Sequence, residues 1–312
     1  MKQFYLPVVL SVLFICISCG SENEIEDETD PETDNLIFPD AAFKDALVNT
    51  NSVDTNNDGQ GDVDMDTNND GEIQRPEAEA AKGLILHFDY SSLDRYVDLS
   101  GIENMINLTS LSITGEGGFF EGNKTSKFIN YDFTQLKELK YLKLNHLASN
   151  FIDKLDLSGL VKLEEVDLSF NRPNEYQQNF RIPMNYIWVN MEGCTGVTKL
   201  AFANSFLKLD LCQVPSVKVL DMWYLEGGEP SVFDFHCLEQ LEWLDISENL
   251  IDSLILKNSS VVTTLGTADM GSDEGAYLPY AEFICIDDIQ EERDQIATLI
   301  GPDTVVTTEC PV

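Results

Sequence analysis

Along most of the chain the apolar residues fall every third position. The clearest run is Leu157, Leu160, Leu163, Val166 and Leu168. Period three suits neither an amphipathic helix, with its repeat of 3.6, nor a simple strand, with its repeat of 2. It suits a coil that turns a corner in each repeat and sends two short strands to a shared core. A phrase with a polar centre opens each run: Val97-Asp98-Leu99, Tyr131-Asp132-Phe133, Leu155-Asp156-Leu157, Val189-Asn190-Met191, Leu209-Asp210-Leu211 and Phe233-Asp234-Phe235. A second apolar triplet closes it: Leu111-Ser112-Ile113, Leu142-Lys143-Leu144, Val166-Asp167-Leu168, Leu200-Ala201-Phe202, Leu220-Asp221-Met222 and Leu244-Asp245-Ile246. From Phe202 to Met222 to Ile246 the steps are 20 and 24 residues; longer steps earlier imply insertions at 115–130, 145–151 and 170–187. One such coil cannot bury its apolar face alone, so the repeats must stack.

Within two copies the run extends to an asparagine: Leu163, Val166, Leu168, Asn171 and Leu241, Leu244, Ile246, Asn249. This spacing resembles the leucine-rich repeat, in which the Asn amide bonds the backbone of the turn. The resemblance spans residues 84–265 and implies a β-rich solenoid of parallel strands, an α/β horseshoe. It is similar to the internalin-like surface lipoproteins of gram-negative bacteria, whose repeats start after a helical cap. Leu147, Ser205 and Leu225 stand where the other copies need the asparagine, which breaks that ladder and leaves the curvature open.

The ends read differently. Lys2, the apolar stretch Phe4 to Ile17 and Ser18-Cys19-Gly20 form an export signal over 1–18, and Cys19 resembles the lipidated first residue of a bacterial lipoprotein. Residues 19–36 carry dense like charge and no core pattern, which predicts a flexible tether. Residues 37–83 read as a helical cap, with Asp40 capping a short helix that carries Phe43, Leu47 and Val48 on one face. Past residue 265, a strand from Phe283, a helix from Glu291 to Ile300 and a strand at Val305-Val306 form a small α+β cap over 266–312.

Inside the first cap, Asp54-Thr-Asn-Asn-Asp-Gly59 recurs twelve residues later as Asp66-Thr-Asn-Asn-Asp-Gly71. The second copy resembles the EF-hand calcium loop. Asp66, Asn68 and Asp70 supply side-chain oxygens at alternate positions, Glu72 a carbonyl, and Glu77 the closing carboxylate, with a short exit helix after Pro76. The first copy offers Asp54, Asn56, Asp58 and Asp62 but departs from the pattern at Gly61 and Met65; Asp62, Asp64 or Asp66 are left to close it. Calcium is the expected cofactor, in a structural role.

Charge sharpens the choice of partner. With 19 basic against 55 acidic residues the net charge is -36, which argues against nucleic acid and anionic lipid surfaces; the membrane is reached through the lipid anchor only. The side chains alternating with the second-strand core positions form one face. On it Tyr141, Lys143, Asp167, Asp221, Trp223, Trp243 and Asp245 are the candidate ligand residues, with the two tryptophans on neighbouring repeats. The expected partner is an extracellular protein or glycan, met from an outer-membrane anchor facing the cell exterior; a calcium-stabilised spacer without a ligand is the alternative.

Catalytic chemistry has no motif to stand on: no nucleophile elbow, phosphate loop or dinucleotide fingerprint occurs. The chain is therefore expected not to be an enzyme. His87, His146 and His236 show no zinc spacing, and His236 and Cys237, as neighbours on an extended chain, should point apart. Cys194 falls at a core position, Cys285 and Cys310 bracket the last segment as the expected disulfide, and the pairing of Cys194, Cys212 and Cys237 stays open. The Asp of each opening phrase, from Asp98 to Asp234, should accept hydrogen bonds within its own turn; a cation-binding ribbon is the alternative.

Overall fold

The computed structural model describes residues 34–88, 96–115, 127–146, 154–171, 187–225, 231–249, 251–267 and 281–310. Asn35–Val312 forms one compact unit. Cys19, the export signal and nearly all of the tether lie outside the described residues, as do residues 116–126, 147–153 and 172–186 within the three insertions.

A nine-stranded main sheet runs the length of the stack. Its strands are Val53–Asp54, Gly83–Phe88, Ser110–Gly115, Tyr141–Asn145, Glu165–Asp167, Lys199–Ala201, Val219–Asp221, Trp243–Asp245 and Thr264–Gly266, adjacent in that order. Apart from the antiparallel first pair, every pairing is parallel. The registers place like repeat positions side by side: Leu200 opposite Leu220, and Leu220 opposite Leu244. On the other side of the core lie three smaller parallel sheets, which take in five of the six opening phrases, Tyr131-Asp132-Phe133 being the exception: Tyr96–Asp98 with Lys127–Ile129; Lys154–Asp156, Ile187–Asn190 and Leu207–Leu209; and Ser231–Asp234, Ile251–Ile255, Phe283–Cys285 and Val305–Thr307. Between them lie the period-three leucines, among which Leu157, Leu160, Leu163, Leu238, Leu241 and Leu244 have no exposed surface. This is a leucine-rich repeat solenoid, with strands on both faces of each coil.

The corners come from short-range polar chemistry. All six phrase residues accept the amide two positions on: Asp98 from Ser100, Asp132 from Thr134, Asp156 from Ser158, Asn190 from Glu192, Asp210 from Cys212 and Asp234 from His236. Local turn bonding accounts for the acidic ladder, as its neighbours in sequence implied. Burial pushes Asp98 up, yet the Ser100 hydroxyl and amide and the Asn130 amide more than offset it and hold the carboxyl below its usual range. The second strands repeat the device at Asp167, Asp221 and Asp245, which take the amides of Ser169, Trp223 and Ser247. At the far end of each rung His146, Phe170, Asn204, Tyr224 and Glu248 adopt left-handed φ between 53° and 63°, turning the chain at one shared position.

The asparagine step is only partly broken. The Asn171 amide donates to the carbonyls of Leu144 and Leu168, and the Asn249 amide to those of Met222 and Ile246. Ser205 replaces an asparagine between them: its hydroxyl donates to the Leu168 carbonyl and accepts from the Asn171 amide N–H. A hydroxyl has one donor and two acceptor sites, so it continues the ladder at this rung.

Both ends of the stack are covered. Helix Ala41–Asn49 is capped by Asp40, whose carboxylate takes the Ala42 and Phe43 amides, and it buries Phe43 and Leu47. Val53–Asp54 then closes the free edge of the main sheet by pairing with Gly83–Phe88, an element that the acidic composition of residues 53–62 concealed. At the other end Phe283–Cys285 and Val305–Thr307 extend the outer sheet, with helix Gln290–Ala297 between them. Disulfide Cys285–Cys310 ties that cap together.

Within this cap Glu292 is buried, with 2% of its surface exposed, and accepts the Asp287 amide. Burial, with Asp287 repulsion added against that bond, pushes its carboxyl up to about 7. The ordinary value of 4.5 applies when unfolded. Stability is therefore full below that value and is lost as pH rises through the folded pKa, by about 3 kcal/mol in all. Glu292→Gln keeps the acceptor and removes the charge. It should stabilise the protein by about 2–3 kcal/mol near pH 8 and by nothing near pH 4, read from urea midpoints at both pH values.

Candidate functional site

Two regions bring together the side chains singled out above: the paired acidic loops of the N-terminal cap, and the solvent side of the main sheet.

The two loops are near copies in three dimensions. Asn57 and Asn69 have φ of 60° and 61°, and Gly59 and Gly71 have φ of 82° and 84°. Asp54 accepts the Asn57 and Gly59 amides, and Asp66 those of Asp70 and Gly71. Asp54 and Asp66 are almost wholly buried. The closing carboxylate is what sequence spacing left unsettled in the first loop. Glu77 takes both the amide and the hydroxyl of Thr67, at 2.8 Å each. Asp62 makes the same pair of contacts to Thr55, at 2.8 and 2.7 Å. Asp62 thus occupies in the shorter loop the place that Glu77 holds in the longer one.

The two departures in the first copy have packing reasons. Met65 is buried, 2% exposed, so it serves the core. A Cβ on Gly61 would lie 1.6 Å from the Asn51 carbonyl oxygen, so only glycine lets this loop fold back against Val53–Asp54. The acidic side chains turn toward one another in each copy. The Asn56 amide lies 3.3 Å from both Asp58 and Asp62, and the Asn68 amide reaches Asp70 at 3.1 Å and Gln74 at 2.8 Å. The Thr55 hydroxyl and amide hold Asp62 below the usual carboxylate range, and the Glu72 amide does the same for Asp70. The Glu72 side chain turns away to Lys44, at 2.7 Å, consistent with a carbonyl-only role at that position. Clustered carboxylate and amide oxygens of this kind fit a hard divalent cation.

The main sheet presents a shallow open trough of about 580 Å³. Tyr141, Lys143, Asp167, Asp221 and Trp243 line it together with Glu165, Lys199 and Gly59 of the first acidic loop. Lys199 pairs with Glu165 at 2.7 Å, and the Asn145 amide donates to Asp167 at 3.0 Å. Asp221 and Asp245 face each other in register. Burial raises the Asp221 carboxyl, and Asp245 and Asp167 add repulsion against the Trp223 amide that it accepts. Trp223 stands apart from this group. Trp243 is in register with Val219, whereas Trp223 lies beyond the strand end, one residue before Tyr224, whose amide bonds Ser247. Four residues along a strand is about 13 Å, so the two tryptophans do not form one platform. Trp223 packs on Tyr224 instead, with ring centroids 5.4 Å apart.

The third tryptophan, Trp188, escaped the sequence reading. It is 59% exposed on the outer sheet, with the Lys208 ammonium 5.2 Å from its ring centre. The alternation of Ile187, Trp188 and Val189 was the available signal, since it turns the middle residue to solvent. The cysteines also hold a correction. Cys212 and Cys237 form a disulfide, and His236 does not point away from Cys237: its Nε2 lies 3.1 Å from the Cys237 sulfur. The pair sits past the end of Ser231–Asp234, where the chain turns, so the alternation of an extended strand does not apply. Cys194 is buried and free, its thiol donating to the Leu157 carbonyl.

No protein-family profile matches the chain, and no curated protein matches it. Among solved structures the chain is similar to internalin C2 from Listeria monocytogenes, at 13% identity over 80% of this chain and 94% of that one, with a TM-score of 0.31. The functional domain of InlJ from the same organism shares 16% identity, covering 86% and 68% of the two chains with a TM-score of 0.26. Its internalin InlF shares 13% identity over 88% and 97%, with a TM-score of 0.20.

Proposed function

We propose that this protein is a non-enzymatic recognition module of the cell surface, tethered to the outer membrane through a lipid on Cys19. Its main-sheet trough binds an extracellular protein or glycan, and calcium held by the two acidic loops stabilises the cap beside it. The observation that carries the reading is the trough itself. Tyr141, 43% exposed, and Trp243 stand on rigid strands among Lys143, Lys199, Glu165 and Asp167, a mixture of amphipathic rings and both charges. Rings of this kind, with few rotatable bonds, make the strongest contacts at interfaces. The fit of the loops to calcium supports the second half: Asp54, Asn56, Asp58 and Asp62 would hold one ion, and Asp66, Asn68, Asp70, Glu77 and the Glu72 carbonyl another. Bound calcium would neutralise carboxylates that otherwise repel, next to the strand that closes the sheet edge.

The test is a glycan array and a panel of extracellular proteins, probed with the calcium-loaded protein and three variants. Tyr141→Ala and Trp243→Ala should each weaken binding of a retained ligand by about tenfold or more, with unchanged circular dichroism. Trp188→Ala, on the outer sheet, should leave it unchanged. The reverse pattern would move the binding surface to the outer face, and no retained ligand would favour a spacer.

A further inference from the structure

Among the described residues, one trio of metal-ligating side chains converges outside the acidic loops. The sulfurs of Cys212 and Cys237 and a ring nitrogen of His236 all lie within 4.8 Å of one another. We propose that Cys212, Cys237 and His236 form a zinc-type site that the Cys212–Cys237 disulfide closes and reduction opens.

The geometry is set from behind. Asp234 accepts the His236 backbone amide at 3.0 Å and its Nδ1 at 2.8 Å. A carboxylate on Nδ1 keeps the proton on that nitrogen and leaves the Nε2 lone pair free to ligate, the arrangement seen behind metal-bound histidines. That lone pair points to the two sulfurs, 3.1 Å from Cys237 and 3.9 Å from Cys212. Disulfide sulfurs carry no hydrogen to offer it. A metal ion between the three atoms would satisfy the nitrogen and both thiolates together. The backbone on either side is anchored: Asp210 takes the Cys212 amide at 3.0 Å, and Val214, Phe235 and Leu238 have no exposed surface. The Cα atoms of the two cysteines stand 5.1 Å apart, so both side chains start from backbone positions on the same side of the ion they would share.

The donor set also chooses the ion. Two thiolates and an imidazole suit zinc and similar borderline metals, while the all-oxygen loops of the cap suit calcium. Cys212 and His236 are exposed, so water can take the fourth tetrahedral position. The other disulfide is an internal contrast, since Cys285 is wholly buried. The chemistry balances with a dithiol as reductant. It passes two electrons and two protons to the Cys212–Cys237 bond and becomes a disulfide itself. Zinc then displaces one proton from each thiol.

The test uses the full chain with calcium present to occupy the acidic loops. A limiting phosphine reductant, which leaves as the phosphine oxide with oxygen taken from water, is removed before titration; alkylation and mass mapping then identify the freed thiols as Cys212 and Cys237. Cobalt, the spectroscopic stand-in for zinc, should bind the reduced protein at one equivalent with a thiolate-to-metal charge-transfer band that zinc abolishes. The oxidised protein should show no such band. His236→Ala should weaken binding at least about tenfold, and Asp234→Asn by about 10- to 100-fold with the band retained. Circular dichroism of the variants checks that the stack is intact. A reduced protein without the charge-transfer band, or a folded His236→Ala variant with unchanged affinity, would overturn the proposal.

Discussion

Saturating calcium is expected to stabilise the chelator-treated protein by about 4 kcal/mol for each occupied loop, at a thousandfold excess over Kd. The size follows from mass action on a site that exists only in the folded state. Without the ion, Asp54, Asp58 and Asp62 crowd one loop, and Asp66, Asp70 and Glu77 the other. The effect should reach the repeats, because Val53–Asp54 is both the first part of a loop and the strand that covers the main-sheet edge. Uncovering that edge exposes unpaired backbone groups, so the metal-free protein should also associate more readily. Calorimetric titration should count two ions. Asp62→Ala should remove one and Glu77→Gln the other, while a melting temperature indifferent to chelator would show both loops to be plain polar turns.

Leu220→Ala is expected to cost about 3–5 kcal/mol. Leu220 has no exposed surface, and it packs in register between Leu200 and Leu244 on the adjoining strands. The cavity it leaves cannot collapse easily, because the flanking rungs are fixed by their own turns: Asp221 holds the Trp223 amide and Asp245 the Ser247 amide. A stack of coils is nearly one-dimensional, and each coil touches only its neighbours. A central defect should therefore reduce cooperativity as well as stability. Urea unfolding followed separately by Trp188 and Trp243 fluorescence should give two midpoints in the variant against one in the parent. A loss below about 1 kcal/mol would show that the core repacks there.

Much of the fold was legible because its signals are local. The period-three leucines specify a coil, and each Asp or Asn of the opening phrases bonds an amide two residues away, so neither depends on distant chain. The Asp40 helix cap was legible for the same reason. The outer sheet was foreseeable only in outline. Lys127–Ile129 pairs ahead of the Tyr131-Asp132-Phe133 phrase, because its register follows the neighbouring coil and not the phrase itself.

The sites divide along the same line. Sequence spacing alone determined the repeat architecture, the solvent side of the main sheet and the twin acidic loops, since each is written in residues a few positions apart. Tertiary structure alone decided that Asp62 stands in for Glu77, that Gly61 is required by the Asn51 carbonyl, and that Trp223 parts from Trp243. It alone also brought Cys212, separated by 25 residues, to Cys237 and turned His236 toward both sulfurs. Stacking places residues one whole repeat apart within bonding distance, and the chain order of a single coil carries no record of that contact.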